Sequence, residues 1–186
     1  MMRLVKLCFG LLILASCAPE VQDKVTQKGM GDFRLGYAVV VGEELVQGPL
    51  SRQGDPDLII ASVKSAIEKQ LSDYKGSKYY HVAVKLEAYI LAQPGVPLVF
   101  SPKSTLILQV GLWDNVTQQR MAEPEQIRVV EPIRIRSLIG SGYTQNAEEQ
   151  TNVLAQEAAR MIEEWLKNKH ETAGWFSAQG DQAEQP

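Results

Sequence analysis

The feature that most constrains the fold is the segment Tyr80 to Leu91, in which apolar and polar side chains alternate. The apolar positions are Val82, Val84, Leu86, Ala88 and Ile90, and the positions between them include His81, Lys85, Glu87 and Tyr89. Because successive side chains of a β-strand point to opposite faces, this pattern predicts a strand with one buried face and one face in water. A sheet of such strands needs a covering layer on one side only.

Three other segments are predicted to be strands. The β-branched run Leu35 to Val46 is the first, and Thr105 to Trp113 alternates in the same way as Tyr80 to Leu91. Glu125 to Leu138 is the last predicted strand. Because Pro132 has no N–H to donate, this strand is expected at an edge of the sheet or at a bulge.

Two segments carry helix signals. Asp55-Pro56-Asp57 supplies an N-cap, a proline for the first turn and an acid, and Asn146 with Glu149 matches a capping box. Gly76 is the predicted end of the first helix. The expected apolar stripes are Ile60, Val63, Ile67 and Leu71 in the first helix, and Thr151, Leu154, Ala158, Met161, Ile162 and Trp165 in the second.

The predicted order is therefore β-α-β-β-β-α. Since each strand has one apolar face, we expect an α+β fold, a two-layer sandwich in which both helices cover one face of a mostly antiparallel sheet. The uncovered face is expected to be exposed to solvent.

The N-terminus has the pattern of a secretory signal. Arg3 and Lys6 precede the apolar run Leu7 to Leu14, which is shorter than the roughly 20 residues of a membrane-spanning helix. The residues Leu14-Ala15-Ser16-Cys17 that follow resemble the lipobox of bacterial lipoproteins, in which lipid is attached to the cysteine before cleavage. The alternative is an ordinary signal peptide in which Cys17 stands at this position by chance.

The lipobox resemblance implies removal of a signal peptide, residues 1–16, and a lipid anchor on Cys17. In well-studied Gram-negative lipoproteins an aspartate after the cysteine favours the inner membrane. Ala18 at that position therefore implies the outer membrane, on its periplasmic side.

The rest of the chain is expected to form one folded domain between two polar segments. Residues 17–32 are predicted to be a lipidated flexible tether, residues 33–170 the α+β domain, and residues 171–186 a disordered acidic tail. The pair Trp175-Phe176 interrupts this tail. Packing of the pair back onto the domain is favoured over an exposed docking motif.

Composition argues against several classes of function. Cys8 leaves with the signal and Cys17 carries lipid, so no thiol remains for a disulfide, a nucleophile or a cysteine zinc site. Loss of Arg3 and Lys6 from the 19 basic residues leaves 17 against 22 acidic ones, a net charge of −5, which disfavours nucleic-acid binding.

Enzymatic function is not expected either. The two histidines, His81 and His170, lie far apart and no hydrolase, metalloprotease or phosphate-binding motif accompanies them. No catalytic residue, metal site or cofactor is predicted.

The pattern of elements resembles small envelope lipoproteins, such as the lipopolysaccharide-assembly lipoprotein and the auxiliary lipoproteins of ABC transport systems. It is also similar to an uncharacterised lipoprotein family of alphaproteobacteria. The residues that carry this similarity are the Asp-Pro before the first helix, Ser104 to Asn115 with its Leu112-Trp113-Asp114 end, and Gly140-Ser141-Gly142 before the helix Gln150 to Trp165. The resemblance implies a non-catalytic accessory or binding subunit of an envelope assembly or transport system, with an envelope protein as partner.

Residues 92–103 between the second and third strands form the first candidate binding site. The apolar residues of this loop stand between prolines: Val96, Leu98, Val99 and Phe100. An exposed apolar loop tip favours docking to a membrane protein or to lipid. A simpler interpretation is that Leu98 to Phe100 begin the next strand or fold over the edge of the sheet.

The uncovered sheet face is the second candidate. Besides the polar residues of Tyr80 to Leu91, it is expected to present Ile107, Gln109, Trp113, Arg128, Arg134 and Arg136. Three arginines at near-even spacing could together bind an anionic envelope component, although such faces are usually only solvated. The alternative function is a carrier of a small hydrophobic or anionic ligand, which requires a cavity between sheet and helices.

Overall fold

The computed structural model describes residues 29–93, 103–132 and 146–177. Its strands and helices, in chain order, are β1 (Phe33–Val41), β2 (Val46–Gln47), α1 (Pro56–Leu71), β3 (Lys78–Ile90), β4 (Thr105–Asp114), β5 (Glu125–Val130) and α2 (Ala147–Ala173). The predicted α+β sandwich and its order β-α-β-β-β-α are confirmed, with the two-residue strand β2 as an addition.

The sheet has the strand order β1-β3-β4-β5, and β2 pairs with β3 beyond the end of β1. Strands β1 and β2 run parallel to β3, whereas the β3–β4 and β4–β5 pairs are antiparallel. The position of β5 at one edge confirms what Pro132 predicted.

The register defines two ends of the sheet. Phe33 pairs with Lys78, and Asp114 pairs with Tyr80, so we call this end the entry end, because the N-terminal segment joins the fold there. Thr105 pairs with both Ile90 and Val130 at the opposite end, which we call the far end. The 13 residues of β3 place the two ends about 40 Å apart.

Local signals explain where the helices begin. The Asp55 side chain accepts hydrogen bonds from the N–H groups of Asp57 and Leu58, and Asn146 forms the predicted capping box with Glu149. These caps satisfy N–H groups that have no partner within a helix. Both predicted helix starts are therefore confirmed.

The predicted end of α1 at Gly76 is wrong, because the helix stops at Leu71 with Ser72 as its cap. Gly76 has a different role. A Cβ built on it would lie 2.3 Å from the carbonyl carbon of Asp32, so only glycine permits this approach to the start of β1. The Gly76 N–H donates to the Phe33 oxygen at 2.9 Å.

The hydrophobic core lies between the two helices and one face of the sheet. Most residues of the two predicted apolar stripes are buried. The buried face differs in each helix, because Ile59 is buried rather than Ile60 in α1, and Leu166 rather than Trp165 in α2. The sheet contributes the buried side chains Tyr80, Val82, Val84, Leu86, Leu106, Leu108, Val110, Leu112 and Val129.

A buried carboxylate joins the two helices. Glu163 of α2 accepts hydrogen bonds from the Tyr74 hydroxyl and the Gln70 amide, and its Oε1 lies 2.9 Å from the Lys167 ammonium. Burial would raise the pKa of Glu163, but the hydrogen bonds from Tyr74, Lys167 and Gln70 outweigh it and lower the pKa. The Glu163 carboxylate therefore has hydrogen-bond partners for both oxygens and serves as a structural contact between α1 and α2.

Residues on both sides of the segment 33–170 pack against the domain. Met30, within the predicted tether, is fully buried, and α2 continues to Ala173. Phe176 is also buried, with its ring centroid 5.0 Å from that of Phe33, and the Asp32 N–H donates to its oxygen at 2.7 Å. Packing of the Trp175-Phe176 pair onto the domain is thus confirmed, and the two ends of the domain are fastened together.

Other predictions fall outside the described residues. Strand β5 ends at Val130, and the remainder of the predicted strand Glu125 to Leu138 is described only as far as Pro132. The predicted signal peptide and Cys17 also lie outside. Within the described ranges, no helix combines the length and apolar character that crossing a membrane would require.

Candidate functional site

The side of the sheet opposite the helices, here called the open face, is the main candidate site. Cross-strand pairing aligns its residues in rows. Tyr37, His81 and Trp113 form the first row, counted from the entry end, that spans β1, β3 and β4. The next two rows towards the far end are Val39, Ala83 and Gly111, and then Val41, Lys85 and Gln109.

His81 is held rigidly at the centre of the first row. The Tyr37 N–H donates to its Nδ1 at 3.1 Å, and its Nε2 lies 2.9 Å from Oδ1 of Asn115. In this arrangement Nδ1 acts as the acceptor and Nε2 faces the Asn115 oxygen as the donor. The Tyr37 ring stacks on the imidazole with a distance of 4.9 Å between the ring centroids. A β-bulge at Gly36, which has no side chain, makes room for the imidazole ring.

Trp113 lies half-buried at the end of the same row. Its ring covers Gly111, where an added Cβ would come within 2.9 Å of the indole ring. The indole therefore lies along the sheet instead of projecting into solvent. The first row is thus a fixed aromatic surface near the entry end.

Polar side chains towards the far end are paired with one another. Glu87 accepts hydrogen bonds from Gln109 at 2.7 Å and from Gln126 at 2.6 Å, and Lys85 lies 3.0 Å from Glu44. The hydrogen bond and charge of Glu44 raise the pKa of Lys85. The charged side chains Glu87 and Lys85 of the open face therefore already have partners within the chain.

The predicted binding residues do not form a single site among the described residues. Trp113 and Arg128 both lie on the open face, but Arg128 pairs with Ile107, about 20 Å along β4 from Trp113. Arg134, Arg136, Val96, Leu98, Val99 and Phe100 lie outside the described residues. The chain leaves the described part before these segments at Gln93 and Pro132, both near the far end.

The prediction that Tyr89 lies on the open face is wrong. The side chain is buried on the helix side, where its hydroxyl donates to Gln47 Oε1 at 3.2 Å and accepts from the Gly54 N–H at 3.3 Å. The cause is a β-bulge between Leu86 and Ala88, which inserts one residue into β3. The bulge reverses the faces of the residues that follow.

Sequence reasoning missed the exposed apolar side chains of β1. Tyr37, Val39 and Val41 are 70%, 51% and 44% exposed on the open face, although Ala38 between them is buried. The signal was present, because the run Leu35 to Gly42 has no charged residue and does not alternate. Such a run is typical of a strand covered on both faces.

One crevice between the sheet and the helices is closely packed. It leaves no room for a water molecule. Its lining residues are Ile59, Val63, Tyr89, Leu91, Leu106, Thr151 and Leu154. In the same described ranges, no group of three or more His, Cys, Asp or Glu side chains is arranged to hold a metal ion.

Comparisons with known proteins show only distant similarity. No family model and no curated protein matches the chain. A candidate lipoprotein from Caulobacter crescentus has 17% identity and a TM-score of 0.40, over 82% of this chain and 98% of that one.

A DUF330 protein from Xanthomonas campestris has 13% identity and a TM-score of 0.42, over 84% of this chain and 93% of that one. A minor lipoprotein from Acinetobacter baumannii has 10% identity and a TM-score of 0.29, over 72% and 94%. Similarity at this level carries no argument about function.

Proposed function

We propose that this chain is a lipoprotein held to an envelope membrane by lipid on Cys17. In this proposal the domain acts as a non-catalytic accessory or binding subunit of an envelope assembly or transport system. The support for the anchor is the charged start, the short apolar run and the Leu14-Ala15-Ser16-Cys17 motif. Ala18 favours the periplasmic side of the outer membrane.

The observation that carries the binding role is the open face. One whole side of the sheet has no covering layer in the described part of the chain, and three apolar side chains of β1 stay exposed on it. Exposed apolar surface next to paired polar groups is characteristic of an interaction site. The partner is an envelope protein.

The geometry of attachment supports this role. The N-terminal segment joins the fold at the entry end, where Met30 is buried. Residues 18–29 can span at most roughly 40 Å when fully extended. The domain can therefore reach a partner near the membrane surface while it remains anchored.

The carrier function has weaker support. A carrier needs a pocket of several hundred Å³, whereas the crevice lined by Ile59, Tyr89 and Leu154 has no room for a water molecule. An accessory subunit needs a surface only, and the open face supplies one.

The test compares the full chain with its Cys17→Ser variant, and Cys8→Ser is the matched control because that cysteine lies within the signal peptide. To test the anchor, inner and outer membranes are separated by density. To test the open face, a photo-crosslinking residue is placed at position 128 on that face or at exposed position 156 on α2. We expect the wild type and Cys8→Ser in the outer-membrane fraction and Cys17→Ser in the soluble periplasmic fraction.

We also expect position 128 to form a crosslink to an envelope protein that position 156 does not form, because only position 128 lies on the open face. Unchanged fractionation of Cys17→Ser would refute the anchor. Equal crosslinking from positions 128 and 156, or none from either, would refute binding through the open face.

A further inference from the structure

Strand β1 forms one edge of the sheet in the described part of the chain. It pairs with β3 on one side, and no strand of the described residues pairs with its other side. An edge strand exposes unpaired N–H and C=O groups, and proteins usually protect it with charges, proline or bulges. From Leu35 to Gly42 there is neither a charge nor a proline, and the bulge at Gly36 interrupts only the beginning.

The flat part of this edge is the segment Tyr37 to Val41. Its side chains are apolar on both faces, since Ala38 and Val40 turn towards the helices while Tyr37, Val39 and Val41 are exposed. A strand of this kind is a template for the addition of another strand. Backbone groups would supply hydrogen bonds, and the exposed side chains would gain apolar neighbours.

We propose that β1 pairs in antiparallel fashion with β1 of a second copy of this chain, about a twofold axis through Val39. In this register Val39 faces its own copy, and Tyr37 of one copy lies opposite Val41 of the other. Every cross-strand pair from Tyr37 to Val41 is then apolar, and no like charges meet. A twofold interface requires such a self-complementary surface.

The charges at the two ends of β1 favour a second copy in this direction. Arg34 lies before the flat segment, and Glu43 and Glu44 follow it, of which Glu44 also pairs with Lys85 of its own chain. Antiparallel pairing brings the positive end of one copy to the negative end of the other, whereas parallel pairing would bring like charges together. Complementary charge of this kind fixes direction and register more than it adds affinity.

The dimer would have one continuous sheet, with all four helices on the same side and both open faces on the other. The pairing needs only the fold and does not depend on the lipid anchor. Where both copies are anchored in one membrane, as proposed above, the twofold axis stands perpendicular to that membrane. The shared sheet then lies parallel to the bilayer, and the two entry ends point in opposite directions.

The test places a cysteine on the axis in the full chain as it is exported in cells. Directly opposed residues of an antiparallel pair have Cα atoms about 4.5–5.5 Å apart, within the range of a disulfide. We expect Val39→Cys to form a covalent homodimer on non-reducing gels. The control Val116→Cys, at a position that is 80% exposed, should give no covalent dimer.

Co-expression of Tyr37→Cys and Val41→Cys chains checks the register, because these two positions face each other only across the antiparallel pair. A mixed disulfide is expected, whereas Tyr37→Cys alone should give none. The absence of a Val39→Cys homodimer, equal yields at positions 39 and 116, or a disulfide to a protein of different mass would each overturn the proposal. The wild-type chain serves as a further control, because a disulfide in it could only come from a Cys17 that carries no lipid. Failure of the anchor can therefore be distinguished from failure of the dimer.

Discussion

The two edges of the sheet differ in how they are protected. Strand β5 carries Glu125 and Arg128 and is followed by Pro132, and Glu125 also lies 2.5 Å from Lys169 of α2. Strand β1 has no such residue between Leu35 and Gly42. Charges and proline hinder strand addition, so among the described residues the β5 edge is protected against association and the β1 edge is not.

This difference suggests a division of surfaces. The β1 edge, apolar and self-complementary, fits a second copy of the chain. The rest of the open face, with Trp113 near the entry end and Arg128 near the far end, remains available to another envelope protein. Such a division would let the domain dimerise and bind its partner at the same time.

The largest expected effect comes from placing a charge on the open edge. Val39→Lys would put two lysines face to face at the twofold axis, where like charges cost several kcal/mol. We expect the dimer to weaken by more than about a hundredfold, since each 1.4 kcal/mol is a factor of ten. Light scattering of the full chain in detergent measures the mass, and Val116→Lys is the exposed control.

An unchanged dimer mass for Val39→Lys would show that β1 is not the interface. Because the Val39 side chain is half exposed, the substitution should leave the fold intact. Far-ultraviolet circular dichroism of the variant checks this point.

A smaller effect is expected when the protected edge is opened. Arg128→Val removes a charge from β5 and leaves an apolar side chain opposite Ile107. The free energy of unfolding should change by no more than about 0.5 kcal/mol, as for most surface substitutions, while higher oligomers appear at high concentration. Arg120→Val, at a position outside the strands, is the control. If both variants formed higher oligomers equally, the oligomers could not be attributed to the β5 edge.

The sequence predicts the two layers well, because they follow from local patterns. The alternation through Val82, Val84 and Leu86 identifies a half-buried strand, and Asp55 and Asn146 mark the helix starts. It fails at Tyr89, because an alternating pattern does not reveal the residue that a bulge inserts. It also fails at Gly76, whose role depends on the distant start of β1.

The candidate site is less predictable, because it depends on strand order. Pro132 correctly indicated an edge for β5, but the neutral run Leu35 to Gly42 is equally compatible with a central strand. Its position at an edge follows from long-range pairing with β3. Strand order therefore determines whether an apolar run becomes core or binding surface.

Hydrogen exchange of the β1 amides tests the central claim most directly. The full chain in detergent is compared with Val39→Lys, and the β5 amides serve as the internal reference. We predict slow exchange for peptides covering Tyr37 to Val41 in the wild type, markedly faster exchange in Val39→Lys, and no difference in β5. Equal exchange of the β1 peptides in both proteins would contradict pairing through this edge.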